Sequence, residues 1–161
     1  MTTVVDIGCA TRGETDSISV LIDRFHPDVL CGFDPLPGLG EQEVDIEGCK
    51  VTVSGKAAWT QDGTVGYTEA GECSQTSEGG ETTVPCFDLS NWLATVDDDE
   101  IILKIDAEGA EYPLLERLLA DDRDRLVSLL IVEWHDNITY ADERKASLLA
   151  RLRAPVEEWT L

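Results

Sequence analysis

One stretch constrains the fold of this chain more than any other: Ile101-Ile102-Leu103-Lys104-Ile105-Asp106-Ala107-Glu108-Gly109-Ala110-Glu111. Its first half reads as a buried strand interrupted only by Lys104, and its second half places Asp106, Glu108 and Glu111 within six positions. A helical pattern over 110–119 follows at once, with Pro113 tolerable only in its first turn. Strands that feed helices through short turns build a parallel sheet, and ligands bind at the carboxyl ends of its strands. Three carboxylates at such an edge repel one another, so the junction is read as a candidate active site rather than as a stabilising feature.

The same alternation runs through the rest of the chain. Val4 to Gly8 reads as a short strand entering a glycine turn. Ile18, Leu21, Ile22 and Phe25 fall on one face of a helix that Pro27 ends. Val29 to Phe33 is a second strand, closed by Asp34-Pro35. Residues 36–50 carry no clear pattern. Val51–Val53 and Ala57–Trp59 read as short strands, and Gln61-Asp62-Gly63 as a turn returning the chain into a strand over Thr64–Tyr67. Residues 69–82 are polar and glycine-rich, which predicts a mobile loop with the position of a lid. Val84–Phe87 is extended, and Asp88 fits the N-cap of a short helix burying Leu89, Trp92, Leu93 and Val96. Val127–Trp134 predicts a long strand, followed by a helix with Ala141, Leu148, Leu149 and Leu152 and a last extended piece over 156–161. The expected architecture is α/β, a mostly parallel sheet with helices on both faces, in a single domain spanning residues 1–161.

Charge and cysteine usage narrow the function. The 161 residues carry a formal net charge of −21, which opposes binding to nucleic acid or to an anionic membrane. Such a surface suits a protein adapted to high salt as well as it suits an ordinary acidic one. No apolar run approaches the ~20 residues of a membrane span, and the N-terminus lacks a secretory pattern. Cys9, Cys31, Cys49, Cys73 and Cys86 are odd in number and widely spaced, with only two histidines beside them, so neither disulfides nor a zinc site is expected. These features predict a reduced, cytoplasmic protein.

Two motifs at predicted strand ends bear on ligand binding. The turn Asp6-Ile7-Gly8-Cys9-Ala10-Thr11-Arg12-Gly13 offers close backbone approach and a helix N-terminus. Asp34, at the end of the second strand, is placed to accept hydrogen bonds from a ribose diol, a geometry shared with nicotinamide enzymes. The glycine pattern is not G-x-G-x-x-G, which disfavours a dehydrogenase. Further along, Asp106, Glu108, Glu133 and His135 stand at strand ends as candidate acids or bases, and His135 is the neatest base on its unperturbed pKa. Asp106 and Glu133 also offer the oxygen donors that Mg²⁺ prefers, although no residue is assigned as a metal ligand.

Taken in order, Val4-Val5-Asp6-Ile7-Gly8, Phe33-Asp34-Pro35, Ala57-Ala58-Trp59 with Asp62-Gly63, the Lys104-x-Asp106-x-Glu108-Gly109-x-Glu111 motif and Leu130-Ile131-Val132-Glu133 resemble FkbM-type methyltransferases. The resemblance implies a Rossmann-like class I fold and S-adenosylmethionine as methyl donor. It implies that Asp6, Gly8, Cys9, Ala10 and Gly13 surround the methionine part of the cofactor. Asp34 and Pro35 would then hold the ribose, and Ala57 and Ala58 would lie near the adenine. The implied acceptor is a hydroxyl of a sugar, glycan or secondary metabolite. The glycine turn is longer than the family's, with Thr11-Arg12 ahead of Gly13, and the chain ends near the sixth strand, which leaves the usual closing strand in question. The competing expectation is a non-catalytic module of the same fold that binds S-adenosylmethionine, or has lost it, and works through a partner; an oligomer is compatible with either.

Overall fold

Eleven strands and four α-helices are found in the computed structural model, which describes residues 1–9, 17–36, 38–68, 75–77, 79–80 and 82–160. Seven strands form one sheet in the order β11-β10-β9-β1-β2-β4-β3, where β1 is Thr2–Ile7, β2 Val29–Phe33, β3 Glu41–Ile46, β4 Cys49–Ser54, β9 Glu100–Ile105, β10 Leu129–Val132 and β11 Val156–Glu158. All neighbours pair in parallel except β3 with β4. β11 is the edge strand among the described residues, and no further strand closes the sheet there.

The central strands are apolar on both sides because helices cover both faces. Val4, Leu30, Ile102 and Ile131 pack under α1 (Ser17–Phe25) through Leu21 and Ile22. The alternate residues Val5, Ile7, Leu103 and Ile105 face the opposite layer. That layer contains α2 (Leu89–Leu93), α3 (Glu111–Ala120) and Leu148 of α4 (Ala141–Leu149). Asp88 caps α2 as expected, its Oδ1 accepting from the Asn91 N–H at 3.2 Å. No described helix is long and apolar enough to cross a membrane.

The structure departs from the sequence reading in four places. Residues 36–50 contain a hairpin: β3 is exposed along nearly its whole length and turns through Glu47 and Gly48, both at positive φ, into β4. β5 (Ala57–Trp59) does not pair with the strand that follows it. Both β5 and β6 (Gly63–Thr68) instead flank β8 (Thr82–Asp88), in a second sheet of order β5-β8-β6-β7. The expected loop over 69–82 includes a short strand, β7 (Gln75–Ser77), on β6; residues 69–74, 78 and 81 lie outside the described residues. β10 is shorter than the Val127–Trp134 run, and Leu149 and Leu152 differ in fate: Leu149 is exposed, while Leu152 packs on the core beyond the end of α4. An aromatic trio joins the two sheets, with the Phe33 ring 4.5 Å from Phe87 and 5.2 Å from Trp92.

Candidate active site

Because β10, β9, β1, β2 and β4 are parallel, their carboxyl ends share one edge. The order reverses at β1, whose neighbours are β2 on one side and β9 on the other. A crevice at such a reversal is where ligands bind in open α/β sheets. Gly8 sits there at φ +78°. A Cβ on it would lie 1.8 Å from the Asp106 carbonyl oxygen, so glycine is demanded by contact between the β1 turn and the acid motif. Its N–H donates to the Phe33 carbonyl at 2.9 Å, and its carbonyl accepts from Lys104 Nζ at 3.0 Å.

Lys104 is fully buried. Its Nζ lies 3.0 Å from Asp6 Oδ1 and 3.4 Å from Asp106 Oδ2, with the Trp159 ring beneath it. Burial works against the charge, but Asp6 and Asp106 outweigh it and hold the Lys104 pKa above its ordinary value. Asp6 is equally buried, and its Oδ2 accepts from Ser17 Oγ at 2.7 Å. The side chains of Asp6 and Lys104 therefore sit beneath the edge as a buried ion pair. Cys9 is also turned inward: its Sγ packs on Gly32, where a Cβ would meet it at 2.8 Å, and burial pushes its thiol pKa up. Ala10 and Gly13 lie outside the described residues.

Asp34 closes β2. Its N–H donates to the Ser54 carbonyl, and its Oδ1 accepts from the Leu36 N–H at 3.0 Å, shaping the turn around Pro35. Pro35 and Leu36 line a cavity of about 640 Å³ whose other walls include Gly55, Lys56, Tyr67 and Val84. Ala57 and Ala58 are buried strand residues just past Lys56 rather than part of that wall.

The acid motif folds back on itself through Glu108 and Gly109, at φ +50° and +103°. A Cβ on Gly109 would press on Asn137 Oδ1 at 2.7 Å, and Asn137 Nδ2 donates to the Glu108 carbonyl. The turn brings Asp106 and Glu108 opposite His135, in the segment after β10. His135 Nε2 lies 3.5 Å from Glu108 Oε1, 3.9 Å from Asp106 Oδ1 and 4.0 Å from Glu133 Oε1. All four candidate acids and bases read from the sequence thus meet at one place.

Glu111 organises them, a role the sequence reading did not give it. Completely buried at the first turn of α3, it accepts from the Gly109 N–H through Oε2 and from both the N–H and Nδ1 of His135 through Oε1. Tyr112 adds a hydrogen bond from its hydroxyl to the His135 carbonyl. The Glu111 carboxylate raises the His135 pKa to about 9, aided by Glu108 and Asp106 and opposed by burial. The imidazole is therefore a cation at neutral pH, not the unperturbed base its ordinary pKa suggests. Burial and neighbouring charge also raise Glu108 and Glu133, with Asp106 the principal charged neighbour acting on Glu133.

Comparison with protein families matches residues 28–158 to the Methyltransferase FkbM domain. The matched span holds Asp34, Asp106, Glu108, Glu111, Glu133 and His135, and begins after β1 and Gly8. No curated protein and no solved structure matches the chain.

Proposed function

The chain belongs to the methyltransferase FkbM domain family, and from that premise we propose that it moves a methyl group from S-adenosylmethionine to a hydroxyl oxygen of a sugar, glycan or secondary metabolite, on a Rossmann-like class I fold. The observation that carries this reading is the gathering of Gly8, Asp34 and the Asp106–Glu108–Glu133–His135 cluster along one sheet edge at the point where strand order reverses.

The residues present suit the cofactor. Asp34 would accept hydrogen bonds from the ribose hydroxyls, and the adjoining cavity has an apolar wall of Pro35, Leu36 and Val84 fit for a flat heterocycle. When bound, S-adenosylmethionine supplies a methyl group on a positively charged sulfonium. What remains for the chain is to align the acceptor and receive its proton. As the C–O bond forms and the C–S bond breaks, the hydroxyl proton passes to a carboxylate. Glu133 is suited to receive it, being partly exposed and having a raised pKa that moves it toward the range where a base works at neutral pH. His135, held as a cation by Glu111, offsets the charge of the acids around it. The free thiols of Cys9, Cys31, Cys49 and Cys86 support a reducing, cytoplasmic setting.

Calorimetry of the full chain with S-adenosylmethionine and with its demethylated product tests the donor. Asp34→Ala is expected to weaken binding by about 1.5–3 kcal/mol, the range for a hydrogen bond to a charged group. Transfer of labelled methyl to a panel of sugar and polyketide alcohols tests the reaction. Absence of binding to either nucleoside would overturn the proposal, and binding without transfer to any acceptor would favour the non-catalytic module.

A further inference from the structure

His135 Nε2 stands as far from the nearest oxygens of Glu108 and Asp106 as two ligands of one ion stand from each other. Donor atoms that share a divalent ion at about 2.1 Å lie about 3 Å apart when adjacent and about 4.2 Å apart when opposite. The 3.5 and 3.9 Å separations from Nε2 to Glu108 and Asp106 fall between those limits. Asp106, Glu108 and His135 each present one ligand atom within 4.8 Å of the other two.

Two further features set this cluster apart from a solvated acidic surface. First, Glu111 holds Nδ1 of His135 from a fully buried position, so the ring is fixed with Nε2 turned to the acids. Metal-binding histidines are oriented by an outer carboxylate in the same way. Second, the cation nearest Glu108 and Glu133 is His135 itself, whose charge a metal ion replaces once Nε2 gives up its proton. Lys104 contacts Asp106 through Oδ2, which leaves Oδ1 turned toward His135, and neither Glu108 nor Glu133 has Lys104 as an ion-pair partner.

We infer that Asp106, Glu108 and His135 bind a first-row divalent transition-metal ion, which displaces the Nε2 proton of His135 to solvent while Glu111 keeps the Nδ1–H and orients the ring. One imidazole and two carboxylates make a mixed nitrogen and oxygen set, suited to Mn²⁺ and its neighbours more than to Mg²⁺. Resting on the proposed methyl transfer, the ion's role is to bind the acceptor oxygen and lower its pKa. The hydroxyl proton then goes to Glu133 as the C–O bond forms and the C–S bond breaks. Metal binding itself stands apart from that reading and is measured apart from it.

The test is a titration of chelator-stripped chain with Mn²⁺, followed by electron paramagnetic resonance. Salt at about 1 M, where the Debye length is about 3 Å, suppresses diffuse binding to the acidic surface. One saturable site is expected, with nitrogen hyperfine coupling that His135→Gln removes. Glu108→Gln is expected to abolish the site, and Glu111→Gln to weaken it by about 10–100-fold. Glu143→Gln, the same charge change on an exposed position of α4, is expected to leave it unchanged. Circular dichroism on each variant reports folding. Lack of a saturable site, or equal weakening by Glu108→Gln and Glu143→Gln, overturns the assignment. S-adenosylmethionine binding without a Mn²⁺ site removes the metal and spares methyl transfer; a Mn²⁺ site without cofactor binding does the reverse.

Discussion

Glu111, at the start of α3, and His135, in the segment after β10, meet directly: a single carboxylate oxygen of Glu111 accepts from both the backbone N–H and the ring Nδ1 of His135, each at 2.9 Å. The other oxygen holds the Gly109 N–H at 2.8 Å. One buried side chain therefore locks the acid turn after β9 to the segment after β10. The ring's far nitrogen is left facing Asp106, Glu108 and Glu133.

This contact has a pH signature. With a folded pKa of about 9 against an ordinary value of about 6.5, His135 stabilises the fold fully below about pH 6.5. That contribution is lost as pH rises through about 9. In metal-free protein, the His135 ring proton resonance is expected to titrate near 9, and the denaturation midpoint to fall between about pH 6.5 and about 9.5. Glu111→Gln is expected to lower the ring pKa and flatten the slope. A wild-type titration near 6.5 would refute the contact.

Lys104 has no exposure, and removing its charge alone strands Asp6 in the interior. Lys104→Met is expected to cost about 3–5 kcal/mol, the range for breaking a buried pair. Adding Asp6→Asn to Lys104→Met is expected to restore part of that loss, because the orphaned charge goes with it. Chemical denaturation of the single and double variants decides the point. Additive losses would show that the two residues do not act as a pair.

At Gly8 two costs coincide. A non-glycine residue at φ +78° carries about 1–3 kcal/mol of strain, and the added Cβ would collide with the Asp106 backbone carbonyl. Gly8→Ala is therefore expected to destabilise by more than strain alone and to shift the acid turn. Gly48→Ala, at φ +90° with open space around it, provides the strain-only comparison. Equal losses in the two variants would exclude the collision.

Glu133 is raised by burial and by Asp106, so its ionised form is a stored cost at neutral pH. Glu133→Gln is expected to leave thermal stability equal or higher. Methyl transfer is expected to fall by about 10²–10⁴-fold, the usual worth of a positioned acid or base. Melting and single-turnover transfer on the same variant read both effects. A loss of stability with full transfer would make Glu133 structural.

The strands that form the middle of the large sheet were legible because burial on both faces demands unbroken apolar runs, as at Val4–Ile7 and Ile101–Ile105. β3 was not, since an exposed edge strand such as Glu41–Ile46 places no apolar demand on its sequence. The pairing of β5 with β8 depends on a partner more than twenty residues away, which no local turn signal encodes. In the site, the clustering of acids pointed to Asp106 and Glu108, and strand ends pointed to Glu133 and His135. Glu111 looked like one more acid of the motif at a helix start, where carboxylates are common. Only the turn at Glu108 and Gly109, and the path of the chain after β10, bring it under the imidazole.

The register of the two central strands follows from a feature of the site's foundation. Asp6 and Lys104 are aligned as neighbours across β1 and β9 and point to the α1 side. Sliding β9 by one residue would turn every one of its side chains over. Lys104 would then enter the apolar layer built on Val5, Ile7 and Leu115, and Asp6 would stay behind without its cation. An all-aliphatic β9 would pair almost as well one step out of place. The buried ion pair therefore selects among sheets, and by rejecting the misaligned ones it sets the height at which Gly8 and Asp106 meet.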